Sequence, residues 1–137
     1  MSIAVLLVED LAHLRGIVAD LLMSLGDFRI VGEVATEAEA IAWLEENPGR
    51  WQLAVVDLIL EQGTGMGVIA RCRNRPPGAK VVVFSDYATP GIRRHCLNLG
   101  ADAVFGKSDG TGGFIEFCAD LLPTAPSTLP AAGPPAK

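Results

Sequence analysis

Continuous apolar runs, each too short for a helix and separated by stretches of helical period, most constrain this chain. Ile3–Val8, Leu53–Val56 and Val81–Phe84 contain no polar alternation. A strand with one face in water alternates apolar and polar residues, whereas an uninterrupted apolar run is covered on both faces. Strand-like and helix-like segments alternate five times, which dictates a parallel sheet with helices packed on both sides. Right-handed crossovers leave few ways to order such strands. The doubly wound order 2-1-3-4-5, flavodoxin-like, is the expected α/β fold.

The elements follow from local signals. A helix is expected from Leu11 to Leu25, with Leu14, Ile17, Val18, Leu21, Leu22 and Leu25 on one stripe and Gly26 as its stop. Phe28–Ala35 reads as the second strand. Thr36 and Glu39 form a capping box for a helix running to Glu46, which breaks at Asn47-Pro48-Gly49. The third strand covers Leu53 to Asp57. The Gly-rich stretch from Glu61 to Gly67 reads as a flexible loop before a helix over Val68–Asn74. Lys80–Phe84 is the fourth strand. Thr89 and Pro90 start a helix ending at Leu99, before Gly100. Ala103–Phe105 is the fifth strand, and a last helix spans Gly113–Leu122.

Ligands of open α/β sheets gather outside the carboxyl ends of the strands. Four strands here end on groups suited to phosphoryl chemistry: Glu9 and Asp10, then Asp57, then Ser85, then Lys107 after Gly106. Only the second strand, an edge in that order, ends without one. Asp57 is the candidate nucleophile, because a carboxylate can attack phosphorus in line and form an acyl phosphate. Mg²⁺ would relieve repulsion among Glu9, Asp10 and Asp57, since this hard ion prefers oxygen ligands and carboxylates. Lys107 can pair with a phosphoryl oxygen or with Asp57, and Ser85 can donate a hydroxyl hydrogen bond. Each residue alone has an ordinary reading: a helix-start acid pair, a turn aspartate, a cap serine, a solvated lysine. Their joint order favours a site.

Length and charge narrow the alternatives. With 137 residues the chain suits one domain. Its net charge of −5 argues against a nucleic-acid surface. No run reaches the ~20 apolar residues that span a bilayer, so a soluble cytoplasmic protein is expected, with no membrane partner. Cys72, Cys96 and Cys118 are far apart and odd in number, which suits reduced thiols. The glycines at 63, 65 and 67 lack the lysine of a phosphate loop. His13 and His95 lack metal-spaced partners. Arg71, Arg73 and Arg75 read as a solvated helix end. The chain divides into a domain over 1–122 and a Pro/Ala-rich tail over 123–137, expected to be disordered.

Val8-Glu9-Asp10, Val55-Val56-Asp57-Leu58 with Gly65, Val83-Phe84-Ser85, Gly100-Ala101-Asp102 and Lys107 together resemble the response-regulator receiver domain, the CheY-like family. The resemblance covers about Ile3 to Leu122. It implies Asp57 as phosphoacceptor, with Asp10, Asp57 and the Ile59 backbone carbonyl as Mg²⁺ ligands and Glu9 acting through water. It also implies Lys107 and Ser85 as partners of the phosphoryl oxygens. Ile59 and Tyr87 fall where this family tunes phosphoryl lifetime, and their bulk predicts slow attack by water. Ser108 follows Lys107 where the family usually has proline, as in LuxR-type receivers. Val104, with Phe105 beside it, stands where the switch aromatic is common, and Glu61 stands where a proline is common.

The resemblance implies a stand-alone response regulator in two-component signal transduction, a non-enzyme apart from its own phosphoryl transfer and hydrolysis. A histidine kinase or histidine phosphotransfer protein would donate to Asp57. A protein target would read the result at the helix 4/strand 5 face, near Leu97, Val104 and Phe105, and the chain would be a monomer or weak dimer. A haloacid-dehalogenase-like phosphatase is an alternative, but its second aspartate would fall at Ile59, which cannot move a proton. A pseudo-receiver scaffold is another, though such domains usually lack part of the acidic cluster or the lysine.

Overall fold

The computed structural model describes residues 2–123. Five parallel strands stand in the order β2-β1-β3-β4-β5: β1 Ile3–Val8, β2 Phe28–Val34, β3 Leu53–Val56, β4 Lys80–Ser85 and β5 Ala103–Gly106. The helices are α1 Ala12–Leu25, α2 Glu37–Glu46, α3 Gly65–Arg71, α4 Pro90–Leu99 and α5 Gly112–Ala119, with a single 3-10 turn over Lys107–Asp109. Among the described residues no helix is long and apolar enough to cross a membrane. The expected tail, from Thr124 on, lies outside the described residues.

The period of two along each strand sorts the core into two layers. Leu6, Val8, Val56 and Val83 face one side, with Val68 and Ile69 of α3 and Cys96 of α4. Val5, Leu7, Val55 and Val82 face the other, with Val18 and Leu22 of α1 and Phe114 and Cys118 of α5. Every residue of β1 and β3 is buried, which is why neither run carries a polar residue. β2, at the edge, is buried only at its ends. All three cysteines are free and buried. Burial pushes the Cys72 and Cys118 thiols up to about 11 and about 12, leaving them protonated and inert at neutral pH.

The caps expected from sequence form. Thr36 Oγ1 accepts the Glu39 N–H at 3.1 Å. Glu39 reaches back one residue further than in a standard capping box, to the Ala35 N–H at 2.8 Å. Thr89 Oγ1 accepts the Ile92 N–H at 3.3 Å.

Two helices differ from expectation. α3 starts three residues earlier than Val68, with Thr64 as its N-cap, and ends at Arg71. Glycine discouraged a helix there, but close packing requires those glycines. A β-carbon at Gly65 would collide with the Asp57 carbonyl oxygen, and one at Gly67 with Glu37 Oε2. α5 ends at Ala119 rather than Leu122, although Leu121 and Leu122 still pack on the core.

The arginine run is not simply a solvated helix end. Arg75 donates to the carbonyls of Cys72, Ala79 and Gly100 and to Asp102 Oδ2, at 2.8–2.9 Å. Asp102 Oδ2 also accepts the Val81 N–H at 2.8 Å. This hub joins the end of α3, the start of β4 and the turn into β5. Arg71 pairs with Glu45.

Candidate functional site

The sheet ladder itself aligns the acids. β1 and β3 are in register with Val8 opposite Val56, and the ladder runs one step further. The Asp57 N–H donates to Val8 O at 2.9 Å and the Glu9 N–H to Val34 O at 3.0 Å. Glu9 and Asp57 therefore leave adjacent strands side by side. Carboxylate oxygens of Glu9, Asp10 and Asp57 all lie within 4.8 Å of one another. The cluster offers only hard oxygen donors, a set that suits a hard divalent cation such as Mg²⁺. Glu9 and Asp57 are buried and Asp10 is half-buried.

Lys107 closes the cluster from the far end of the chain. Its Nζ donates to Glu9 Oε1 at 2.8 Å and to Asp57 Oδ2 at 3.0 Å. The register of β4 and β5 carries it there: Ser85 pairs with Gly106, the residue before Lys107. Burial opposes the ammonium charge, but the hydrogen bonds and charges of Glu9 and Asp57 outweigh it and hold the Lys107 pKa above its ordinary value. Burial likewise raises the Glu9 carboxyl, against the lowering pull of Lys107 and of the Leu11 N–H at 3.2 Å.

The remaining expected residues lie at or just after the carboxyl ends of β3 and β4. Ser85 is fully buried, and its Oγ accepts the Tyr87 N–H at 3.2 Å. Tyr87 and Ile59 are exposed, at 53% and 51%. Ile59 forms an isolated antiparallel bridge with Thr64 across the loop after β3. Asp57 Oδ1 accepts the Leu58 N–H at 2.7 Å, so both carboxylate oxygens of Asp57 are held.

Val104 and Phe105 point to opposite layers. Val104 is buried on the α4 side. Phe105 packs edge-on against Phe114, at 6.3 Å between ring centroids, and lies 6.0 Å from Phe117 on the α5 side. Of the three apolar residues expected at the helix 4/strand 5 face, Leu97 is the exposed one, at 48%.

Several supporting residues escaped the sequence reading. Arg15, one turn into α1, donates to the Glu9 carbonyl. Arg93 of α4 donates to the carbonyls of Ala88 and Val104 and to Asp109 Oδ2, at 2.7–2.9 Å. It thus ties α4 to β5 and to the turn that carries Lys107. An arginine three residues after the Thr89-Pro90 start of a helix has no local signature for such a role. A cavity of about 800 Å³ lies at the opposite end of the sheet between Ser2, Trp43 and Leu121. The space beside Glu9 and Asp57 is only about 10 Å³.

The sequence matches the response regulator receiver domain over residues 5–112. It is 26% identical over 126 residues to protein-glutamate methylesterase/protein-glutamine glutaminase 1 of Paramagnetospirillum magneticum, an alignment covering 88% of this chain and 32% of that protein. The chain thus spans about a third of that relative's length. The fold is similar to a DNA-binding response regulator of the LuxR family from Staphylococcus aureus. There the TM-score is 0.75 at 22% identity, covering 87% of this chain and 98% of that one. It is also similar to the receiver domain of a sensor histidine kinase from Pseudomonas aeruginosa, whose structure holds a magnesium ion in its active site cleft. That TM-score is 0.71 at 22% identity, covering 88% and 98%. With the sheet order, the acid cluster and a match across most of its length, this chain belongs to the response regulator receiver domain family.

Proposed function

We propose that this receiver is a phosphorylation switch whose acceptor is Asp57, acting on a protein partner. The observation that carries the reading is the convergence of three carboxylates with the Lys107 ammonium at the carboxyl ends of β1, β3 and β5. A phosphohistidine of a histidine kinase or phosphotransfer protein is the donor. An Asp57 oxygen attacks phosphorus, the phosphorus–nitrogen bond breaks, the imidazole leaves and takes a proton, and an acyl phosphate remains on Asp57. Asp10, Asp57 and the Ile59 carbonyl, with Glu9 acting through water, would hold Mg²⁺, which would supply positive charge against the entering phosphoryl group. Lys107, already poised between two acids, exchanges one of them for a phosphoryl oxygen. The Ser85 hydroxyl, which uses only its acceptor side toward Tyr87, donates to another.

Movement of Lys107 pulls on the turn over Lys107–Asp109, and Arg93 links Asp109 to α4, so the α4–β5 face carries the output. Exposed Ile59 and Tyr87 stand over the approach of water and slow hydrolysis.

Phosphotransfer profiling with purified histidine kinases and phosphotransfer proteins tests this reading. The expected result is Mg²⁺-dependent transfer from at least one donor to wild type, none to Asp57→Asn, and a label that persists for minutes. Failure with every donor and with acetyl phosphate identifies a scaffold, and turnover of phosphate esters identifies a phosphatase. Loss of the label within seconds contradicts the role given to Ile59 and Tyr87.

A further inference from the structure

The loop after Asp57 is tied at both ends. At its near end the Leu58 N–H holds Asp57 Oδ1 at 2.7 Å. Leu58 in turn accepts the Gly65 N–H at 2.9 Å, and Ile59 bridges Thr64. Residues 58–65 thus form a closed turn whose far side fixes its near side. That far side is held by one residue of another element, Glu37, the first residue of α2. Glu37 Oε1 accepts the Thr64 N–H at 2.8 Å, and the Glu37 N–H donates to the Gln62 carbonyl at 3.0 Å.

The loop glycines match this contact. Gly63 has φ +85°, and a β-carbon there would lie 2.6 Å from Glu37 Oε1. One at Gly67 would collide with Glu37 Oε2. Gly63 and Gly67 therefore make room for the Glu37 carboxylate, and Gly65 makes room for the Asp57 carbonyl. A Gly-rich stretch that reads as a flexible loop is instead a seat for one side chain.

We propose that Glu37 is a positioning residue for the Asp57 carboxylate, acting through the chain Glu37–Thr64–Gly65–Leu58. Without its carboxylate the Thr64 N–H loses its acceptor, the closed turn loosens, and Leu58 no longer fixes Asp57 Oδ1. Supporting groups that orient a metal ligand typically alter metal affinity by about 10–100-fold. This inference rests on the reading of Asp57 as the acceptor in a Mg²⁺ site.

Glu37→Ala and Glu37→Gln separate the hydrogen bond from the charge. Both remove the favourable negative charge at the start of α2, but glutamine keeps an oxygen that can accept from Thr64. Amide hydrogen exchange at Thr64 and Gly65 is read in metal-free protein, Mg²⁺ affinity by titration, and melting temperature alongside. The expected result is faster exchange and on the order of tenfold weaker Mg²⁺ binding in Glu37→Ala, with Glu37→Gln close to wild type in both. Identical behaviour of the two variants overturns the proposal, as does a fall in melting temperature with exchange and Mg²⁺ affinity unchanged. Wild type that binds Mg²⁺ but takes no phosphoryl group refutes the switch reading alone, and exchange and affinity still judge Glu37. Wild type that binds no Mg²⁺ overturns both.

Discussion

Lys107→Ala is expected to destabilise the metal-free protein by about 3 kcal/mol, the usual cost of removing one partner from a buried ion pair. Lys107 sits with its side chain only 14% exposed between Glu9 and Asp57, whose side chains are 9% and 10% exposed. Its removal leaves two nearly dry carboxylates facing each other and a third, Asp10, within 4.8 Å. Like charges at such spacing repel strongly where water is scarce. A divalent cation supplies the missing positive charge at the same place. Urea unfolding in chelator and in excess Mg²⁺ measures both effects. The loss relative to wild type should be large in chelator and shrink markedly in Mg²⁺. An equal loss in both conditions would mean that the lysine stabilises by packing rather than by charge.

Gly65→Ala is expected to cost about 3 kcal/mol as well, through steric conflict. In most helices alanine gains up to about 1 kcal/mol over glycine, and Gly65 lies in the first turn of α3. Here the added carbon would collide with the Asp57 carbonyl oxygen and come within 2.8 Å of Val56 Cγ1. Neither can rotate away, because Val56 and the Asp57 N–H belong to the central ladder. Gly16, inside α1, has nothing within 4 Å of its β-carbon position, so Gly16→Ala should stabilise by up to about 1 kcal/mol. Thermal unfolding of the two variants side by side separates conflict from propensity. Two stabilised variants would show that the Asp57 turn yields easily.

Much of this fold is legible in the sequence, for a reason visible in the burial. β1, β3 and β4 read as unbroken apolar runs because helices cover both of their faces. Their polar ends are legible because each run stops where the sheet stops, and these three ends, with that of β5, carry groups of one chemistry. The features that escaped all depend on distant partners. α3 could not be placed by propensity, since its glycines are dictated by Asp57 and Glu37. Arg75 looks like any helix-end arginine until β4 and Asp102 are brought beside it. The opposite facing of Val104 and Phe105 follows from the strand period, but which layer each enters is set by the β4 pairing. Arg93 gave no local sign that it would join α4 to the Lys107 turn.

The central claim is that Asp57 receives the phosphoryl group in the cluster that Lys107 closes. It is tested most directly by treating the purified chain with acetyl phosphate and Mg²⁺, trapping any acyl phosphate by borohydride reduction, and locating the modified residue by peptide mass spectrometry. One modified residue, Asp57, seen with Mg²⁺ and absent with chelator, is the expected result. Modification at Ser85, at Asp10 or nowhere would contradict it.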